Sequence, residues 1–129
     1  MFLFGSQLYS KSHPPNDSFE KALNIEFNQL QQLQTAVVVE KKSANKGTYS
    51  SVHAHYITKQ SKDEIIKYYE SELKKHGWKF VEKEFVKSIY GELAEERYKF
   101  IKDDKKLFLS FSQNPVEAEY TFSISLGGH

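Results

Sequence analysis

The stretch from Ser61 to Gly77 restricts the fold more than any other, because its ends and its interior all specify a helix. Ser61 and Glu64 form an S-x-x-E capping box, and Gly77 stands where a helix commonly ends in a left-handed residue. Between them, apolar side chains recur at helical steps of three and four residues: Ile65, Ile66, Tyr69 and Leu73. The pattern predicts a helix over residues 62–76, with Trp78 packed back on its last turn and an apolar stripe that another element must cover.

Strict alternation of apolar and polar residues identifies β-structure near the other end of the chain. Residues 116–126 place an apolar side chain at every second position: Val116, Ala118, Tyr120, Phe122, Ile124 and Leu126. Because neighbouring side chains of a strand point to opposite faces, this pattern predicts one buried face and one solvated face.

Runs rich in β-branched and aromatic residues predict five further strands. They cover residues 35–41, 48–59, 78–86, 93–102 and 107–113. Polar or glycine-containing segments between them predict turns at 43–47, 88–92 and 103–106. The first turn makes residues 35–59 a β-hairpin.

A first helix is predicted over residues 18–33. Asp17 and Glu20 form a variant capping box, and apolar side chains follow at helical spacing: Phe19, Leu23, Phe27, Leu30 and Leu33. Pro14 and Pro15 separate this helix from residues 1–15, which start with an apolar stretch. That stretch is either an arm or first strand packed on the domain, or the remnant of an export signal.

The element order α-β-β-α-β-β-β-β predicts an α+β fold. Short links between successive strands favour antiparallel pairing, and the helices should then lie together on one face of a sheet of five to six strands. A chain of 129 residues can bury one adequate core, so residues 1–129 are predicted to form a single domain.

Composition and motifs exclude several classes of function. With 18 Lys and Arg against 17 Asp and Glu, the chain lacks the positive field of a non-specific nucleic-acid binder. It contains no cysteine, and its apolar start is far shorter than a membrane span. Nucleophile-elbow, zinc-protease and phosphate-loop motifs do not occur, so we expect no enzymatic activity and no cofactor.

His53 and His55 lie two residues apart on a predicted strand. Their side chains therefore share one face about 7 Å apart, a distance that a divalent metal could bridge. A metal site needs further ligands, and the remaining histidines lie in other predicted elements. We therefore predict two polar side chains on a solvated strand and no metal site, with a role in partner contact or proton transfer as the alternative.

Acidic side chains predominate between residues 82 and 104. The candidates for contact with a partner are Glu92, Glu95, Glu96, Asp103 and Asp104. An acidic surface of this kind would steer a basic partner, although charged residues also protect an ordinary sheet edge from unwanted pairing.

The segment Tyr68-Tyr69-Glu70-Ser71-Glu72-Leu73-Lys74-Lys75-His76-Gly77-Trp78 resembles a helix end found in small bacterial α+β domains. Such domains occur among envelope lipoproteins and among immunity proteins, which protect bacteria from contact-delivered toxins. Counted with the strands before and after the helix, the resemblance covers about a fifth of the chain, and it implies a helix leading into an antiparallel sheet.

Two functional hypotheses follow. In the first, the chain is a non-enzymatic immunity protein that binds a basic toxin domain and masks its active site with an acidic edge of the sheet. In the second, it is a cell-envelope domain that holds a small apolar ligand between helix and sheet. The second requires an open pocket lined by Phe and Tyr.

Overall fold

The computed structural model describes residues 17–45, 50–87, 91, 93–112 and 121–128, and the predicted fold class is confirmed within these ranges. Two helices and six strands follow one another in the predicted order: α1 Asp17–Gln29, β1 Val37–Asn45, β2 Ser50–Ile57, α2 Lys62–Lys75, β3 Lys79–Lys87, β4 Leu93–Lys102, β5 Lys105–Ser112 and β6 Phe122–Gly128. The predicted N-terminal arm at 1–15 and most of the turn at 88–92 lie outside the described residues.

All six strands belong to one antiparallel sheet, in the order β1-β2-β6-β5-β4-β3. Strand β6 lies between the β1–β2 hairpin and the three consecutive strands β3, β4 and β5. It contains no charged residue, which suits a strand whose two neighbours leave it little access to water. Among the described strands, β1 and β3 form the two edges of the sheet.

One hydrophobic core lies between the helices and one face of the sheet. The helices contribute every third or fourth residue to it, and the central strands contribute every second residue: Phe19, Leu23, Phe27, Ile65, Tyr69 and Leu73 from the helices, and Val52, Ala54, Tyr56, Leu107, Leu109, Phe111, Phe122, Ile124 and Leu126 from the strands. Full burial of one such Leu, Ile or Phe side chain stabilises the fold by about 1.5–3 kcal/mol.

Helix α2 has the predicted ends. The Ser61 hydroxyl accepts the Glu64 backbone N–H at 3.2 Å, and the Glu64 carboxylate accepts the Ser61 N–H at 2.9 Å. Gly77 has a φ of 89°, and the Trp78 N–H donates back to the Leu73 carbonyl at 3.0 Å. Trp78 is buried against the core, as the sequence predicts.

Helix α1 ends at Gln29, so the predicted extent of 18–33 was too long. The backbone N–H groups of Gln31 and Leu33 donate instead to side chains of α2, namely Glu72 Oε2 at 2.7 Å and the Tyr69 hydroxyl at 3.3 Å. Because these groups have partners outside α1, the chain leaves the helix while Leu33 remains buried.

Gly128 lies where the first turn of α1 approaches the sheet. A Cβ atom at this position would lie 2.8 Å from Phe19 Cζ and 2.8 Å from the Asp104 carbonyl oxygen. The missing side chain therefore allows α1 to pack closely on β6.

The predicted alternation of the last strand is confirmed for Phe122, Ile124 and Leu126, which are fully buried. The expectation that its other face is solvated was wrong at Ser123, which is also buried. Ser123 lies between His55 of β2 and Ser110 of β5, so neighbouring side chains flank it on both sides. Residues 113–120 lie outside the described ranges.

We predict that Glu72→Gln lowers the free energy of unfolding at pH 7 by about 1–2 kcal/mol, the difference between charged and neutral hydrogen bonds. Burial raises the pKa of Glu72, but the Gln31 N–H, Lys75 and His76 outweigh it and lower the pKa below its usual value. The stabilisation is therefore fully present above the unfolded-state pKa of about 4.3 and is lost as the pH falls through the lower folded-state pKa.

Urea denaturation at pH 7 and at pH 3 measures the free energy of unfolding of wild type and of Glu72→Gln. The difference between the two proteins should be smaller at pH 3. Glu70→Gln changes an exposed position on the same helix and is the matched control. It should leave the free energy of unfolding nearly unchanged at both pH values. A difference that is constant with pH would contradict the role of the ionised carboxylate.

Candidate functional site

The β1–β2 hairpin carries a mixed polar and apolar surface on the side of the sheet opposite the core. Its cross-strand pairs are Val37 with Ile57, Glu40 with His55, and Lys42 with His53. Because directly opposed residues project to the same side, these six side chains lie together. We call this surface the hairpin face: Val37, Glu40, Lys42, His53, His55 and Ile57.

Glu40, His53 and His55 meet at the centre of the hairpin face. One potential ligand atom from each residue lies within 4.8 Å of the other two. The two imidazole rings are 5.2 Å apart between centroids and meet edge to face at 61°. The sequence offered His53 and His55 without a third ligand, and the hairpin register supplies Glu40 from the neighbouring strand.

Burial and the nearby charges together favour the neutral form of one imidazole, that of His55. Burial lowers the pKa of His55, and the nearby His53 and Lys42 act in the same direction, while Glu40 opposes them. Lys42 Nζ lies 3.2 Å from Glu40 Oε2, and both side chains remain accessible to solvent. Neutral imidazole is the form that binds a metal or accepts a proton, so His55 is suited to either role near neutral pH.

An open groove adjoins the apolar end of the hairpin face. It has a volume of about 460 Å³ and lies where the hairpin meets the start of α2; its lining residues are Thr35, Val37, Ile57, Thr58, Lys59, Gln60 and Glu64. Val37 is 67% exposed and Ile57 is 48% exposed. Hydrogen bonds fix this end of the hairpin, because the Thr58 N–H donates to Thr121 Oγ1 at 3.1 Å.

A second groove lies between α2 and the strands β3 and β4. Its volume is about 350 Å³, and its lining combines aromatic and charged side chains: Glu70, Lys74, Trp78, Lys79, Phe80 and Phe100. Trp78 Nε1 is buried and has no hydrogen-bond acceptor among the described residues. The position between helix and sheet is the one that a small apolar ligand would need, although the aromatic lining consists of Trp78, Phe80 and Phe100 instead of the expected Phe and Tyr.

The structure does not gather the predicted acidic residues into one surface. Glu96 is buried on the core side and paired with Lys62 and with Lys83, whose Nζ lies 2.7 Å from Glu96 Oε1. Its neighbour Glu95 projects to the opposite side of the sheet. Burial there raises the pKa of Glu95, and the opposite effect of Arg97 is smaller.

Asp103 and Asp104 are exposed on the turn after β4. This turn lies about 23 Å from Glu95, because seven residues of strand at the usual rise separate them. Strand β4 pairs with both β3 and β5, so the expectation that these residues form an acidic edge of the sheet was wrong. Glu92 lies outside the described residues.

We predict that Glu96→Gln lowers the free energy of unfolding by about 1–2 kcal/mol, because Lys62 and Lys83 then face a neutral amide instead of a carboxylate. The loss stays moderate, since Lys62 and Lys83 are partly exposed and water can solvate them in the variant. Asp104→Asn changes a carboxylate that is 63% exposed and should alter stability by less than about 0.5 kcal/mol. Equal losses in the two variants, measured by chemical denaturation, would contradict the structural role of Glu96.

No protein-family model, curated protein or solved structure matches this chain. Of the helices in the described ranges, neither α1 nor α2 has the length and apolar content that a membrane span requires.

Proposed function

We propose that this chain is a non-enzymatic protein-binding module of the immunity type, which binds a toxin domain and masks its active site. The observation that carries the proposal is the exposed apolar start of the edge strand β1. Val37, Val38 and Val39 are consecutive and all more than half exposed. Val37 shares one side of the hairpin with the exposed Ile57, whereas Val38 lies on the other side, opposite Tyr56. An exposed apolar surface on a small domain commonly marks a site of protein contact.

The free edge of β1 supports binding by strand addition. Among the described strands, β1 pairs only with β2, so the backbone groups on its other side can pair with an extended segment of a partner. The apolar side chains at its start would then contact the partner's side chains beside the 460 Å³ groove. Backbone pairing supplies affinity in this mode, and the side chains supply specificity.

The second half of β1 limits pairing with the wrong strand. A register shift interrupts the β1–β2 ladder between Val38 and Glu40, and Lys41 and Lys42 follow it. Bulges and lysines at an edge oppose pairing between copies of the same protein. The first three valines are thus the part of the edge best suited to a specific partner.

The acidic turn is not part of this proposed docking surface. Strand pairing places the β4–β5 turn beside Gly128, Ser50 and Asn45, at the end of the sheet opposite Val37. We therefore assign the contact with the toxin domain to the β1 edge, instead of to Asp103 and Asp104.

Val37→Lys is predicted to weaken partner binding at least tenfold, because it places a charge between the exposed Ile57 and the groove at the apolar start of the edge. Ile25→Lys is the matched control, since Ile25 on α1 is 57% exposed and lies outside the edge. Tagged wild type, Val37→Lys and Ile25→Lys are compared by pull-down from the native host, followed by affinity measurement with the purified partner. Recovery of no stable partner, or equal binding by Val37→Lys, would contradict the proposal.

The immunity role has its own test. The captured protein is expressed in a sensitive bacterial strain together with wild type or Val37→Lys. Restored growth with wild type, and reduced protection with Val37→Lys, are the expected results. A partner that has no toxic activity would contradict the immunity role and would leave only the more general protein-binding function.

The second candidate function is retention of a small apolar ligand in the groove beside Trp78. The aromatic lining formed by Trp78, Phe80 and Phe100 supports it. Trp78 is the only tryptophan in the chain, so its fluorescence reports occupancy of this groove directly. A saturable change in that fluorescence on titration with an apolar probe, abolished by Phe80→Lys, would favour this function.

A further inference from the structure

We propose that the hairpin face binds one zinc-like divalent cation through Glu40, His53 and His55. This property is separate from the protein-binding function proposed above, because it depends on the polar centre of the hairpin face and not on its apolar end. Within the described part of the chain, these are the three residues of ligand type whose donor atoms come together.

The geometry requires little adjustment to bind a cation. Donor atoms at about 2.0–2.2 Å from a tetrahedral zinc ion lie about 3.4 Å from one another. The three donors here already lie within 4.8 Å of each other. Rotation of these three side chains, which are all partly exposed, can close the remaining gap of about 1.4 Å or less.

The sheet holds the three residues in place. His53 and His55 project to the same side of β2, and Glu40 lies directly opposite His55 on β1. On the other side of β2, Ser125 and Ser123 of β6 lie opposite the two histidines in the same order.

The donor set indicates which cations fit. Two imidazoles and one carboxylate suit zinc, cobalt, nickel or copper, whereas magnesium and calcium prefer sites built from oxygen atoms alone. Three protein donors leave at least one coordination position for water or for an exogenous ligand. Glu40 retains 46% exposure of its side chain, so this position is open to solvent.

Lys42 is a built-in competitor for the cation. Its ammonium group lies 3.2 Å from Glu40 Oε2, and it would have to leave that carboxylate when a cation binds. Removal of its charge should therefore strengthen cation binding, while removal of a ligand should weaken it. Two neighbouring substitutions on one surface thus have opposite expected effects.

The test is calorimetric titration of the full, tag-free chain with Zn²⁺ and, separately, with Mg²⁺. Wild type should bind one Zn²⁺ ion per chain with much weaker or undetectable binding of Mg²⁺, and excess Zn²⁺ should raise the melting temperature by several degrees. His53→Gln, His55→Gln and Glu40→Gln should each weaken Zn²⁺ binding by about tenfold or more. Lys42→Gln should tighten it several-fold.

A triple variant provides the matched control. Of the five histidines, His13, His76 and His129 are not among the proposed ligands, and their joint replacement by glutamine should leave Zn²⁺ affinity unchanged. Visible absorption of the Co²⁺ form gives a second readout of the ligand set. Its band should be present in wild type and in the triple variant, and altered in His55→Gln.

Several results would overturn the proposal: no saturable binding of one Zn²⁺ ion, equal affinity in wild type and both histidine variants, or loss of binding in the triple variant. Lys42→Gln keeps the test decisive if a histidine variant fails to fold, because it removes no ligand. Unchanged or weaker Zn²⁺ affinity in Lys42→Gln would equally count against the site.

Discussion

The pairing of β6 with β2 on one side and β5 on the other is the interaction on which the rest of the structure depends. Without it, the β1–β2 hairpin and the strands β3 to β5 would be two separate small sheets, each too narrow to bury a helix well. Phe122, Ile124 and Leu126 join the buried faces of the two groups of strands into one continuous apolar surface. The apolar stripes of both helices pack on that surface. Because β6 follows the other strands in the chain, this closure requires contacts between residues that are distant in sequence, which are slower to form than local ones.

Polar contacts between the helices complete this arrangement. Tyr68, Tyr69 and Glu72 of α2 all hydrogen-bond the segment that follows α1. Tyr68 and Tyr69 therefore position neighbouring backbone in this chain. They position the segment before β1, and through it they help to set where the edge strand and its exposed valines begin.

The sequence predicts α2 to within one residue, since Ser61, Glu64 and Gly77 act locally and need no knowledge of the rest of the fold. It predicts the hairpin but not its register. A loop at 43–47 would place Lys42 opposite Thr48, whereas Lys42 lies opposite His53. The second half of β1 is polar, so hydrophobic pattern alone specifies its pairing weakly. With the observed register, Glu40 would have been recognised as a partner of His55 from the sequence.

The same geometry explains why the acidic residues between 82 and 104 do not form one acidic edge. A run of carboxylates in the sequence forms a charged surface only if its members project to one side, and a strand sends successive residues to opposite sides. Glu95 and Glu96 are neighbours in sequence, yet Glu96 pairs with lysines on the core side and Glu95 lies on the other. Glu40, His53 and His55 are separated by up to 15 residues and share one side of the hairpin. In a sheet protein of this kind, functional groups are found by cross-strand register, so the hairpin face is where chemistry beyond protein contact should be sought.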